Sequence, residues 1–248
     1  MRSFDARFPR KKPKQILEII EIDFKTKTFH RYRRFFRKLL SCHSKCYIPQ
    51  IHWNNTQTTI HPFVVYWVDE DSNLQFASFV LISESLEHNT ECVHLFQKRL
   101  VAWLKQKFSV EGIENIFDFS DGASSQYENK KNFVNLVYHY EDFGIAAEWP
   151  SFATSHGKNA CDGIGGIVKK FIKRESLRRP DEVPNASSRA VFDLVEHKFP
   201  TITFDFCSHK DHEIEEKLVS KRFDGLQTVN GTRSFHAYIP LGNNKAEV

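Results

Sequence analysis

Ile116-Phe117-Asp118-Phe119-Ser120-Asp121-Gly122-Ala123-Ser124-Ser125-Gln126 is the stretch that decides the fold. A short apolar run ends in an acid, a turn of small residues follows, and a polar helix entry comes near Ser124. Alternation along a strand sends Phe117 and Phe119 to one face and Asp118 to the other. Asp121, just past the strand, is therefore the stronger candidate for chemistry. In α/β folds, ligands bind in the crevice outside the C-terminal ends of parallel strands, where such an acid points. The plain alternative for Asp121 is an Asx-turn residue ahead of Gly122.

Working outward, Thr58 to Val68 is rich in β-branched and aromatic residues, Asp69 to Asn73 reads as a turn, and Leu74 to Ile82 as a second strand, so the pair predicts a hairpin. Asn89 to Phe108 reads as a long helix with Asn89 or Thr90 as N-cap and Val93, Phe96, Leu100, Trp103 and Leu104 on its buried face. The Asp121 strand follows, then a helix from about Ser125 to Tyr138, a strand near Ile145 to Ala153, and a helix carrying Asp162. The order is strand, strand, helix, strand, helix, strand, helix. With one more strand in front it is the order of an RNase H-like core, an α/β fold built on a mixed sheet. In that fold, acids on the first strand, after the fourth strand and on the last helix converge on two divalent metal ions. Asp121 and Asp162 lie 41 residues apart, which leaves room for the helix and strand between them.

The second informative stretch runs His156-Gly157-Lys158-Asn159-Ala160-Cys161-Asp162-Gly163-Ile164-Gly165-Gly166-Ile167-Val168-Lys169-Lys170. At 100° per residue, Asp162, Gly165 with Gly166, Lys169 and Lys173 fall on one stripe. Ile164, Ile167, Val168, Phe171 and Ile172 form the apolar stripe, expected to face a core. A carboxylate, then bare backbone, then cations along one edge suit a metal ion with a phosphodiester lying along the helix, and the glycines let that backbone approach closely. The plain alternative is a glycine-rich turn before a basic surface helix.

Several segments, taken jointly, resemble a known family. They are His52-Trp53-Asn54-Asn55-Thr56-Gln57 with Thr59-Ile60-His61-Pro62, then Phe119-Ser120-Asp121-Gly122, then Asn129-Lys130-Lys131-Asn132-Phe133. Further on come Asp142-Phe143-Gly144-Ile145 with Ala147-Glu148-Trp149, and Phe152 to Lys158 running into Cys161-Asp162-Gly163-Ile164-Gly165-Gly166. Over roughly His52 to Pro180, with a weaker echo at Gly231 to His236, the chain resembles transposon-borne proteins of animal genomes with a DDE transposase or integrase-type core. The resemblance implies DNA as partner and Mg²⁺ or Mn²⁺ as cofactor. It implies Asp121 and Asp162 as catalytic carboxylates and metal ligands. Lys158, Lys169, Lys170, Lys173 and Arg174 would contact nucleic acid, with His156, Gly165 and Gly166 near the site.

The match departs at one place. The family carries an upstream strand with an Asp-Phe, followed shortly by Glu-Asn-Tyr, some twenty residues before His-Trp-Asn-Asn. Here that place reads Phe35-Phe36-Arg37-Lys38-Leu39-Leu40-Ser41-Cys42, without an acid. The nearest upstream acid is Asp23, in a different context. The first carboxylate normally bridges both ions, and activity without it is expected to fall steeply. The expected function is thus a transposase-derived DNA-binding protein with degenerate catalysis. An active metal-dependent nuclease and a protein-interaction module without catalysis are the alternatives, the latter on the strength of 14% aromatic residues.

Charge is distributed unevenly. Residues 1–50 hold 14 Lys and Arg against 4 Asp and Glu, while the rest holds 21 against 27. A basic arm on a mildly acidic body suits a polyanion, and Arg10-Lys11-Lys12-Pro13-Lys14 fits a nuclear-import signal. The expected organisation is a basic arm over 1–50, a core over 51–180 and a small α+β appendage over 181–248. The five cysteines are odd in number and scattered, which suits a reducing compartment, nuclear or cytoplasmic. No apolar run is long enough to span a bilayer, so no membrane partner is expected. Self-association into a homo-oligomer is left open.

Overall fold

The computed structural model describes residues 18–23, 28–33, 38–43, 46–47, 57–69, 71–108, 113, 115–120, 127, 129–150, 160–179, 187–226, 237–242 and 245–247. The first strands are β1 (Glu18–Asp23), β2 (Thr28–Arg33), β3 (Lys38–His43), β4 (Cys46–Tyr47), β5 (Thr59–Val68) and β6 (Leu74–Ser83). Helix α1 (Thr90–Lys107), β7 (Asn115–Ser120), α2 (Lys130–Val137), α3 (His139–Phe143), β8 (Ala146–Pro150) and α4 (Ala160–Arg178) come next. The chain then forms α5 (Ser188–Glu196), β9 (Ile202–Cys207), α6 (His209–Val219), a 3-10 turn (Ser220–Phe223), β10 (Ala237–Gly242) and β11 (Lys245–Glu247).

The β5–β6 hairpin closes where expected. The turn is tied by the Asp69 carboxylate, which accepts from the Asn73 backbone N–H at 2.8 Å and the Gln75 amide at 2.7 Å. Side-chain caps start the helices. Asn89 accepts from the Cys92 N–H at α1, Asn129 from the Asn132 N–H at α2, and Ser187 from the Ala190 N–H at α5. Ser208 and Asp211 form a capping box at α6. The helix expected from about Ser125 begins instead at Lys130 and breaks at Tyr138, and its second piece ends on Gly144 at φ 69°. A side chain on Gly144 would be strained there, because L residues avoid that region.

In the large sheet β3 lies between β5, its antiparallel neighbour, and β7, its parallel neighbour. Strand β6 pairs antiparallel with β5, and β8 pairs parallel with β7. Counted from β3 as first, the core strands therefore lie third, second, first, fourth, fifth, and the second alone runs antiparallel. With α1 between the third and fourth strands and α4 after the fifth, this is an RNase H-like core on a mixed α/β sheet. The extra strand that the element order calls for is β3, drawn from within the basic 1–50 segment. Asp23 ends β1, which pairs with β2 in a separate two-stranded sheet and not in the core sheet.

Both faces of the sheet are covered, so β5 reads as a nearly continuous apolar run. Phe63, Val65, Phe79 and Leu81 pack with Val93, Phe96, Leu100 and Leu104 of α1. Ile60, Val80 and Ile82 pack on the other face with Val168, Phe171 and Ile172 of α4 and Val191, Phe192 and Val195 of α5. The C-terminal α+β appendage joins the core edge to edge. Strand β9 pairs parallel with β6 at one edge, and β10 pairs antiparallel with β8 at the other, with β11 outside it.

Candidate nucleic-acid interface

At one end of the sheet the strands β3 and β7 finish beside the first turn of α4, which carries Asp162. In the parallel register of β3 and β7, His43 lies opposite Ser120, so both strands end together. Asp121 is the next residue after Ser120 and lies outside the described residues, as do His156 and Lys158. The first turn of α4 sits at the same end. Its Cys161 is fully buried against Val64, which pairs with Cys42 of β3. Asp162 is on that turn and is half-buried.

The outer face of α4 differs from the expected stripe. Its buried residues are Cys161, Gly165, Val168, Phe171 and Ile172. Gly165 is thus part of the packed side. Ile167, expected in the core, is 52% exposed. The reason is geometric: the buried arc is centred near Val168, and Ile167 stands about 100° away from it around the helix. Gly163 and Gly166 face outward, and a Cβ built on either meets nothing within 4 Å. Lys170, Lys173 and Arg174 are exposed around them, and Lys169 is half-buried. Arg178 and Arg179 pair with Glu175 at 3.3 and 3.2 Å, and Arg174 approaches it at 3.9 Å. The three lysines are therefore the better cations for an outside partner.

Open glycines in a helix are costly. Each is destabilising by roughly 0.5–1 kcal/mol relative to alanine, through backbone entropy. Among the described residues, nothing packs against the positions a Cβ would take at 163 and 166. The double variant G163A/G166A is expected to unfold later in denaturant, by about 1–2 kcal/mol in sum, while binding any partner that approaches the bare backbone less well. Chemical denaturation beside a binding titration checks both signs.

On the opposite face, β7 carries Asp118, which is 2% exposed and accepts from the Gln97 amide of α1 at 3.0 Å. Further along α1, the sequence reading missed a chain of buried charge. His94 is 2% exposed, with Nδ1 2.7 Å from a Glu215 oxygen on α6 and Nε2 3.0 Å from an Asp142 oxygen on α3. Lys98 donates to Glu215 at 2.6 Å, and Arg222 makes a two-pronged pair with Asp142. Burial pulls the His94 pKa down, but hydrogen bonds to Asp142 and Glu215 outweigh it, so the pKa stands above 6.5. Burial pushes Asp142 up, yet bonding to His94 and Arg222 holds its carboxyl well below the usual range. Glu215 is lowered likewise, against burial, by His94 and Lys98. His139 nearby is fully buried, and burial lowers its pKa to about 4 while its Nδ1 meets the Ile145 carbonyl at 2.7 Å. The only hint in the sequence was the abundance of titratable residues on α1 and α6.

A second polar contact joins β6, α1 and α6. Ser83 Oγ lies 2.7 Å from His212 Nε2, and Cys92 Sγ lies 3.3 Å from His212 Nδ1. Burial raises the neighbouring Cys207 thiol to about 12, so it stays protonated and inert as a nucleophile.

Among the described residues, the first-strand position offers no carboxylate to bridge two metal ions. A two-ion centre needs a bridging carboxylate, and β3, at the first-strand position, reads Lys38-Leu39-Leu40-Ser41-Cys42-His43. Among the described residues no three or more His, Cys, Asp and Glu side chains are grouped to hold a metal. No helix among them is long and apolar enough to cross a membrane.

A family model described as "Domain of unknown function (DUF8701)" matches residues 38–248, from the first residue of β3 through the C-terminal appendage. No curated protein matches the chain. Among solved structures, one described as the crystal structure of LC9-RNase H1, a type 1 RNase H with the type 2 active-site motif, is similar at 7% identity over 80% of each chain. Its TM-score is 0.27. That likeness is too slight to argue from; the strand order carries the fold.

Proposed function

The chain belongs to the family described as Domain of unknown function (DUF8701), and on that footing we propose a transposase-derived, RNase H-like DNA-binding protein whose catalysis is degenerate. The observation that carries this reading is the outer face of α4, where Gly163 and Gly166 stand open beside Lys170 and Lys173. A helix keeps two destabilising glycines without an internal packing reason when something outside must come close to its backbone. The lysines beside them make a phosphodiester the fitting visitor. Lys158 and Arg174 extend the same contact, and the basic segment ahead of β3 adds a sequence-independent grip.

The absent first acid argues for the silent form. Asp121 and Asp162 remain the pair that would hold a single Mg²⁺ or Mn²⁺. Two carboxylates without the bridging one leave an in-line attack without its second ion. His156 would lie close to the bound strand. The animal transposon origin rests on the sequence resemblance, and nuclear residence on the basic run at Arg10 to Lys14.

A nicking assay on supercoiled DNA with Mg²⁺ or Mn²⁺ tests the catalytic half. Wild type, D121A and D162A are expected to give equal, trace nicking. Nicking by wild type that both substitutions abolish overturns the degenerate reading. Fluorescence anisotropy with unrelated duplexes at rising salt tests the binding half, where affinity should fall steeply and without strong sequence preference.

A further inference from the structure

We propose that α6 and the 3-10 turn after it form a proton-held latch, docked on α1 while His94 carries a proton on both ring nitrogens and loosened when that proton is lost. The geometry makes the demand. Glu215 and Asp142 approach opposite nitrogens of one buried ring at 2.7 and 3.0 Å. Ionised carboxylates only accept, so both nitrogens must donate, and only the imidazolium has two N–H groups. Charge then alternates along Lys98, Glu215, His94, Asp142 and Arg222, drawn from α1, α6, α1, α3 and the 3-10 turn.

Helix α6 depends on these contacts because its buried side is mostly polar. His212, Glu215 and Val219 are its buried residues, while Ile214 and Leu218 are 53% and 55% exposed. Burial of one valine stabilises a helix by only about 1.5–3 kcal/mol. Polar contacts must supply much of the rest. The 3-10 turn is anchored in the same way: Arg222 lies over the Tyr138 ring at 4.9 Å, and the Phe223 ring lies under Lys131 of α2 at 5.0 Å.

The groups around His94 do not take over its role. Lys98 and Lys105 on α1 and Arg222 on the turn are cations. Asp142 and Glu215 are the two acceptors, and His212 on α6 is engaged with Ser83 and Cys92. His139 on α3 is neutral near pH 7, with its pKa lowered to about 4, and so adds no charge. When His94 loses a proton, one nitrogen presents a lone pair to a carboxylate inside a buried site, and attraction becomes repulsion. The sign follows from linkage. The folded-state pKa of His94 lies above its ordinary 6.5, so the contribution is complete below 6.5 and is lost as pH rises through the raised value.

The test uses the full chain. Nitrogen-15 shifts of the His94 ring should show an imidazolium at about pH 6.5 and its titration above that, later than the ordinary histidine value of about 6.5. Amide hydrogen exchange, corrected for the intrinsic effect of pH, should show α6 opening on the order of tenfold more often above the titration, while α5 stays flat. H94Q, with one donating group, should hold α6 at the high-pH level throughout. A neutral imidazole at pH 6.5, or α6 protection in wild type that does not change with pH, overturns the proposal. So does the same pH dependence in H94Q, since other groups would then carry it. If H94Q does not fold, the two wild-type measurements decide alone.

Discussion

Replacing Lys169, Lys170 and Lys173 together with glutamate is expected to weaken DNA binding by about a hundredfold or more near 50 mM salt. Each lysine that neutralises a phosphate releases condensed counterions, and the slope of log affinity against log salt falls by about 0.9 per contact on B-DNA. Three lost contacts should flatten the slope by about 2.7. The side chains are exposed or half-buried on α4 and form no competing ion pair among the described residues. The control is K210E/K217E/K221E, the same charge change on exposed positions of the α6 segment, which packs on α1 across the sheet from α4. It should leave the slope unchanged. Equal weakening by both triples would mean that net charge alone attracts DNA, and the α4 face would lose its special standing.

Glu215→Ala is expected to lower folding stability by about 3–5 kcal/mol at pH 7, the usual result of removing one partner from a buried charged pair. Its side chain is 2% exposed and meets His94, also 2% exposed. The variant leaves a buried imidazolium with one acceptor gone. Lys98 on the other side of Glu215 is 46% exposed and can rehydrate. Lys98→Ala should therefore cost no more than about 1 kcal/mol. Urea denaturation of both variants checks the contrast. Similar losses for the two would show that the Lys98 pair, and not the histidine, carries the coupling.

The parts of the fold that could be read from sequence are those whose signals are local. The β5–β6 hairpin has a polar turn between β-branched runs, and α1 begins at the Asn89 cap. Strand β3 is foreshadowed only by the resemblance, which puts the first strand at Phe35 to Cys42, because Lys38 to His43 shows no alternation of its own. Its extended form is imposed by the neighbours that pair with it on both sides, a tertiary effect that propensity does not carry. Helix α3 follows α2 directly and has no side-chain cap at its start, so no local signal announces it after the helix read as ending at Tyr138. On α4 the expected apolar stripe holds at Val168, Phe171 and Ile172, while Ile167 falls outside the buried arc and Gly165 within it. The site was legible in part. Asp162 and the lysines stand at the start and along the outside of α4, whereas Asp121 falls outside the described residues. The His94 chain was invisible because its partners are 48 and 121 residues away, a separation at which no pattern in the sequence connects them.

The way the appendage joins the core also covers the edges along which copies of the chain could pair. A sheet with bare outer strands offers rows of unmatched N–H and C=O groups, and any extended chain that arrives can continue it. Here β9 shields β6 and β10 shields β8, so the long, apolar β5–β6 hairpin never meets solvent along a free side where β9 runs beside it. The last quarter of the chain acts as selvedge, the woven border that keeps cloth from unravelling. Proteolysis within it would bare β6 or β8, and the damaged molecules would be the ones to stack and precipitate.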